Sequence, residues 1–232
     1  VEENTTAHLV RDIEALRGHL GLERLMVFGG SWGATLALAY AAAHPRRIAA
    51  MVLRGVFLGS REEVDWYLGG LGDLVPQARQ ALGEGTAPEL VARFYARVCE
   101  NDSAAAQRWV AYENALMSMD AGNAPTAGGE EDPATAIARA CVQLHYLAHD
   151  CFLGPGELLG GLEPIGETPV LIVQGARDRV CPPRAALELA ERLPGAKLRL
   201  VENGGHSATG PEMAAALRRA ADDLRARVEG KA

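Results

Sequence analysis

The chain of 232 residues carries a formal net charge of -7, from 23 basic and 30 acidic residues, and 48% of its residues are hydrophobic. This composition can bury a sizeable core, and it excludes the concentrated basic surface that nucleic-acid binding needs. The longest apolar runs, LALAYAAA and IAAMVL, are too short to cross a bilayer, so we expect no membrane segment.

The four cysteines, Cys99, Cys141, Cys151 and Cys181, show neither CxxC pairing nor the spacing of metal ligands. We therefore expect reduced thiols in a cytoplasmic protein rather than a disulfide framework. No signal-peptide pattern is seen at the start of the chain. The histidines and carboxylates form no ligand set, so no metal or other cofactor is expected.

The first quarter of the chain predicts a βαβ unit. Apolar residues at helical spacing indicate a helix between Leu9 and Leu20, after N-cap candidates at residues 4–6. RLMVF at 24–28 is typical of a buried strand, 32–43 of an alanine-rich helix, and 48–54 of a second buried strand. Strand, helix and strand in this order favour a parallel sheet with a right-handed crossover.

The pattern becomes helical from about residue 57 to 162, with helices expected at 62–68, 88–99, 103–119 and 134–149 and a loop at 121–133. The α/β alternation resumes with the strand VLIVQG, followed by a helix at 183–193, a strand at 197–201 and a helix at 211–228. We expect an α/β core, residues 1–56 and 163–232, that carries a helical cap, residues 57–162.

Residues 29–33, GGSWG, match the motif G-x-S-x-G and lie between the first strand and the next helix. A flexible turn is one interpretation. The other is a nucleophile elbow, in which small residues let the backbone turn sharply and present Ser31. The backbone N–H of Trp32, at the helix N-terminus, would then help to bind an oxyanion.

Two further residues favour the elbow. Asp178 follows the strand VLIVQG, and His206 follows the strand KLRLV, so both are expected at the carboxyl ends of strands, as Ser31 is. Taken alone, Asp178 is a candidate helix N-cap and His206 a loop histidine. Together they follow the order Ser, Asp, His of a hydrolase triad, in which Ser31 attacks a carbonyl, His206 transfers the proton and Asp178 orients the imidazole.

The segments LVRDIEALRGHLGL, VFGGSWGATLALAYA, VLRGVFL, QGARDRVCPP and GGHSA together resemble the proline iminopeptidase family, serine peptidases with the α/β-hydrolase fold. The resemblance implies release of N-terminal proline from small peptides. It places Gly30, Arg54, Phe57 and Tyr67 in the substrate pocket, although ordinary cap packing would also account for the last three. Oligomeric state is left open.

In the same family the cap supplies carboxylates to the α-ammonium group of the substrate. Glu113, in WVAYE, fits the first of them. Gln143, in QLHY, stands where the second is expected, so one charge-assisted contact becomes neutral, at a cost of about 1 kcal/mol. An esterase or amidase acting on small neutral substrates is therefore an alternative function.

The family also carries strands and an HGGPG loop before the segment that matches residue 4 onward, and that loop donates the second oxyanion N–H. The sequence given contains no such loop. We expect either a piece of a longer enzyme or a non-catalytic remnant, since one missing oxyanion donor costs about 10²–10³ in turnover. We also expect strand 24–28 to become a sheet edge with an uncovered apolar flank.

Overall fold

The structure is a computed structural model that describes residues 3–120, 129 and 131–230. Its strands are β1 (Leu25–Gly30), β2 (Ile48–Arg54), β3 (Val170–Gly175) and β4 (Ala196–Val201). Its helices are α1 (Thr6–His19), α2 (Trp32–Ala43), α3 (Arg61–Leu68), α4 (Pro76–Ala81), α5 (Ala87–Cys99), α6 (Ser103–Asp120), α7 (Pro133–Ala148), α8 (Glu157–Gly160), α9 (Pro183–Arg192) and α10 (Pro211–Val228). The loop expected at 121–133 lies largely outside the described residues.

The described residues fall into two compact units. One, here called the cap unit, comprises residues 60–152, and the other, the core unit, comprises 3–59 and 153–230. All four strands belong to the core unit, and the cap unit is helical throughout its described elements. The cap limits expected from the sequence, 57–162, stay a prediction.

The core unit contains a parallel sheet in the order β1-β2-β3-β4. β1 and β2 are in register up to Gly30 and Arg54, and β3 and β4 up to Gly175 and Val201. Because the strands run in one direction, their carboxyl ends meet at a single edge of the sheet. The loops that carry Ser31, Asp178 and His206 leave from this edge.

Both faces of the central strands are apolar, as expected for a parallel sheet covered by helices on both sides. The alternation of side chains along β2 and β3 divides them between two clusters. Met51, Leu53, Val170 and Ile172 pack with residues of α2 and α9. Ala50, Val52, Leu171 and Val173 pack with α10.

The two edges of the sheet differ in chemistry. β4 exposes Lys197 and Arg199, charged residues that oppose pairing with a further strand, beside one apolar residue, Leu200 (52%). β1 instead exposes Met26 (43%) and Phe28 (56%). The strand at 24–28 is therefore an edge strand with exposed apolar side chains in the described sheet.

The cap unit is organised around an antiparallel contact between α6 and α7. The indole Nε1 of Trp109 donates to Oε1 of Gln143 at 2.7 Å, and one helical turn along, Arg139 pairs with Glu113 at 3.0 Å. Trp109 and Phe94 form the aromatic interior, with ring centroids 5.7 Å apart. Within the described part of the chain, no helix combines the length and apolar character that crossing a membrane would require.

Candidate active site

Ser31 lies in a strained turn between β1 and α2. Its φ of 56° and ψ of -124° are values that non-glycine residues rarely adopt. A Cβ atom on Gly29 would lie 2.3 Å from the carbonyl oxygen of Gly33, so the turn closes only with glycine at position 29. The N–H of Ser31 donates to the carbonyl of Arg54 at 2.9 Å, which fixes the turn to the end of β2. This is the geometry expected of a nucleophile elbow.

The turn leads directly into a helix. Trp32 is the first residue of α2, and the carbonyl of Ser31 accepts the first helical bond, from the N–H of Ala34, at 2.9 Å. The helix dipole favours negative charge at this N-terminus. The position of Trp32 therefore suits the oxyanion role predicted for it.

Asp178 and His206 are in direct contact. The imidazole Nδ1 of His206 lies 3.0 Å from Oδ2 and 3.2 Å from Oδ1 of Asp178. The Asp178 side chain is fully buried and that of His206 is 7% exposed. A buried carboxylate in this position holds the imidazole with its proton on Nδ1 and leaves Nε2 to act as a base.

Two residues absent from the predicted site surround Asp178. Gln174, at the end of β3, donates from Nε2 to Oδ2 of Asp178 at 3.2 Å. The backbone N–H of Cys181 donates to Oδ1 at 2.8 Å, and its Sγ lies 4.0 Å from Oγ of Ser31. Cys181 therefore contacts both Ser31 and the carboxylate. The sequence signal for Gln174 was a polar residue in an otherwise apolar buried strand.

Gly55 forms the wall behind the imidazole. It has a φ of +51°, and a Cβ atom there would lie 3.0 Å from Cε1 and Nδ1 of His206 and 3.2 Å from Oδ2 of Asp178. Only a glycine lets the backbone after β2 approach this pair so closely. The sequence signal for this role is the glycine of LRG, residues 53–55. The predicted site includes its neighbour Arg54 but not Gly55.

Arg54 contacts the backbone around the site. Its guanidinium donates to the carbonyl of His206 and borders Gly30, where a Cβ atom would lie 2.6 Å from Nη2. These contacts support the His206 loop. The substrate-binding roles predicted for Arg54 and Gly30 stay predictions, as does that of Phe57, whose carbonyl accepts from Thr35 Oγ1 at 2.6 Å.

The remaining predicted pocket residues belong to the cap unit. Tyr67 receives a hydrogen bond on its carbonyl from the Tyr112 hydroxyl, and the two rings meet edge-on at 5.7 Å. Glu113 pairs with Arg139 and Gln143 accepts from Trp109, as described above. Glu113 and Gln143 thus lie one helical turn apart along the contact of α6 and α7, and their substrate contacts stay predictions.

None of the four cysteines forms a disulfide bond, and Cys151 and Cys181 are buried. Among the residues that the structure describes, no three His, Cys, Asp or Glu side chains come together as a metal site would require.

Comparison with known proteins identifies the family. The model of the alpha/beta hydrolase fold family matches residues 2–209. The chain is 38% identical over 230 residues to a proline iminopeptidase of Arabidopsis thaliana, covering 94% of this chain and 60% of the relative. It is 36% identical over 234 residues to the proline iminopeptidase of Neisseria gonorrhoeae, covering 96% of this chain and 74% of the relative.

A solved structure, an alpha/beta fold family hydrolase from Bacillus anthracis, superposes with a TM-score of 0.58 at 20% identity, over 95% of this chain and 74% of that one. This likeness shows the shared fold. The chain spans 60% of the plant relative and 74% of the gonococcal one. On these matches, the chain belongs to the proline iminopeptidase family of α/β hydrolases.

Proposed function

We propose that this protein is a serine hydrolase that releases N-terminal proline from small peptides through an acyl-enzyme. One observation supports the proposal most. Cys181 contacts both Ser31, which is held in a strained turn, and Asp178 of the buried Asp178–His206 pair. The names of the relatives supply the substrate class, peptides with an N-terminal proline.

The chemistry follows from the three side chains. His206 Nε2 takes the proton of Ser31 as its Oγ attacks the carbonyl carbon of the proline residue. The backbone N–H of Trp32 stabilises the oxyanion. His206 then protonates the leaving amine, and an acyl-enzyme on Ser31 remains. Water, deprotonated by the same imidazole, releases the proline.

Asp178 acts through the imidazole. Its carboxylate accepts from Nδ1 and stabilises the imidazolium that forms in each step. Two further donors, the Gln174 amide and the Cys181 N–H, keep this buried carboxylate satisfied.

A second candidate, an esterase acting on small neutral substrates, is favoured by the cap unit. Gln143 supplies no negative charge, and the charge of Glu113 is paired with Arg139. Binding of an α-ammonium depends on carboxylates, so this pairing lowers the electrostatic attraction available to it. A cytoplasmic location stays a prediction.

The test compares turnover of proline-linked and alanine-linked chromogenic amides and of an acetyl ester, together with labelling by a fluorophosphonate probe. We expect cleavage that prefers proline. Ser31→Ala should abolish labelling, and Asp178→Asn should lower kcat by about 10⁴-fold, as for similar changes in other triads. Ser60→Ala, a change at the N-cap of α3, is the matched serine control and should leave labelling intact.

Ester turnover without amide turnover would favour the esterase. If wild-type protein reacts with neither substrates nor probe, it is the non-catalytic remnant considered from the sequence.

A further inference from the structure

Gln174 is a buried polar residue that contacts Asp178 but takes no part in the proposed proton transfers. It lies in β3 with no exposed surface, and its side-chain amide contacts three parts of the site. Nε2 donates to Oδ2 of Asp178 at 3.2 Å and to the carbonyl of Cys181 at 3.0 Å. Oε1 accepts from the N–H of Val56 at 3.3 Å.

These neighbours fix the direction of the amide. Nε2 faces oxygen atoms, with the carbonyl of Gly175 also at 3.4 Å, whereas Oε1 faces an N–H group. The reverse orientation would place Oε1 against the carboxylate of Asp178 and two carbonyls. The position therefore requires a donor at one end of the side chain and an acceptor at the other.

The same amide connects the segments that hold the reacting groups. Val56 follows Gly55, which borders the imidazole of His206. Cys181 lies against Ser31 and also donates to Asp178. Gln174 thus joins the end of β2, the Asp178 carboxylate and the Cys181 segment at one buried point.

We propose that Gln174 is a positioning residue that holds the Asp178 carboxylate in line with His206. This inference rests on the proposed hydrolase function. The amide hydrogen bond disperses part of the carboxylate charge. When it is lost, the more concentrated charge of Asp178 holds the imidazolium more strongly. This raises the pH at which His206 becomes available as a base.

The test measures the pKa of His206 directly. In Gln174→Met, which keeps side-chain length and removes both polar ends, we expect the measured His206 pKa to rise, because Asp178 loses a hydrogen bond that disperses its charge. The imidazole is followed by NMR, with its resonance assigned by its loss in His206→Gln. The rate of fluorophosphonate labelling of Ser31 should show the same upward shift of its acid limb.

Gln174→Leu is the second variant, in case Met does not fold. It also removes both polar ends of the side chain, so the charge on Asp178 is again more concentrated and the His206 pKa should again rise. The matched control is Tyr40→Phe, which removes another side-chain hydrogen bond of the core unit, the partly buried one from the Tyr40 hydroxyl to Glu14 at 2.8 Å. It should lower stability and leave the His206 pKa unchanged.

An unchanged His206 pKa in a folded Gln174 variant would overturn the positioning role. So would unfolding of both Gln174 variants while Tyr40→Phe folds, because Gln174 would then serve the fold of the core unit alone. The NMR measurement needs no turnover. Absence of labelling in wild-type protein would therefore count against the proposed hydrolase function, and the His206 pKa would still decide the role of Gln174.

Discussion

Gly55→Ala tests how closely the backbone supports the Asp178–His206 pair. An added methyl group would lie 3.0 Å from two ring atoms of His206 and 3.2 Å from Oδ2 of Asp178. Favourable contacts between carbon atoms lie at about 3.5–4.0 Å, so the imidazole would have to move by roughly 0.5–1 Å. A displacement of about 1 Å in an active site can cost about 10² in rate, so we expect kcat to fall by roughly 10- to 100-fold.

The substitution also strains the backbone, because Gly55 has a φ of +51°. Alanine in this left-handed region costs about 1–2 kcal/mol, partly offset by the lower entropy of the unfolded chain. Gly21→Ala is the matched control for this effect. Gly21 has a φ of +65°, and no described atom outside its immediate chain neighbours lies within 4 Å of the position of its added methyl group.

The assay combines urea unfolding with kcat for the proline-linked amide, or the rate of fluorophosphonate labelling. Gly21→Ala should lose about 1 kcal/mol of unfolding free energy, and Gly55→Ala should lose more because its methyl group also crowds His206. Only Gly55→Ala should lose activity. If Gly55→Ala remains as active as Gly21→Ala, the imidazole does not depend on contact with this backbone, and the reasoning is wrong.

Three further predictions concern the elbow, acid stability and the sheet edge. Gly29→Ala should prevent folding of the elbow, because its methyl group would lie 2.3 Å from a backbone oxygen. Gly33→Ala should keep the thermal stability of the wild type, because the methyl group added there meets open space among the described residues. Hydrogen bonds from Arg17 and Tyr40 lower the pKa of Glu14 from 4.5 to about 2, so the stability they provide is complete above about pH 4.5 and is lost as the pH falls towards 2. Met26→Lys should reduce concentration-dependent association, measured by light scattering, because it places a charge on the exposed apolar edge of β1.

Each of these has a control or a contradicting result. Equal stability of Gly29→Ala and Gly33→Ala would show that the close approach of Gly29 to Gly33 does not require a glycine at position 29. Glu14→Gln should flatten the loss of stability below pH 4.5, and an unchanged slope would assign the acid sensitivity to other groups. Lys197→Met, the opposite change on β4, should increase association. If neither substitution changes the association, a surface other than the sheet edges is responsible for it.

Local patterns predicted most of the elements correctly. The buried strands VLIVQG and IAAMVLR and the alanine-rich helix after GGSWG lie where expected, because apolar runs and glycine breaks act over short distances. Thr5, one of three N-cap candidates, is the residue that caps α1. Strand β1 ends at Gly30, two residues beyond the predicted limit, since the glycines still pair with β2 before the chain turns at Ser31.

The sequence by itself determined the order of the α/β core, the elbow at Ser31 and the candidates Asp178 and His206, because each is marked by a local pattern at the end of a strand. Only the tertiary structure decided which groups surround them. Gln174 and Cys181 contact Asp178, and Gly55 borders His206, through strands β2 and β3, which are distant in sequence and adjacent in the sheet. Hydrogen bonds between such segments depend on the register of the sheet and on close packing, and the spacing of residues along the chain predicts neither of these.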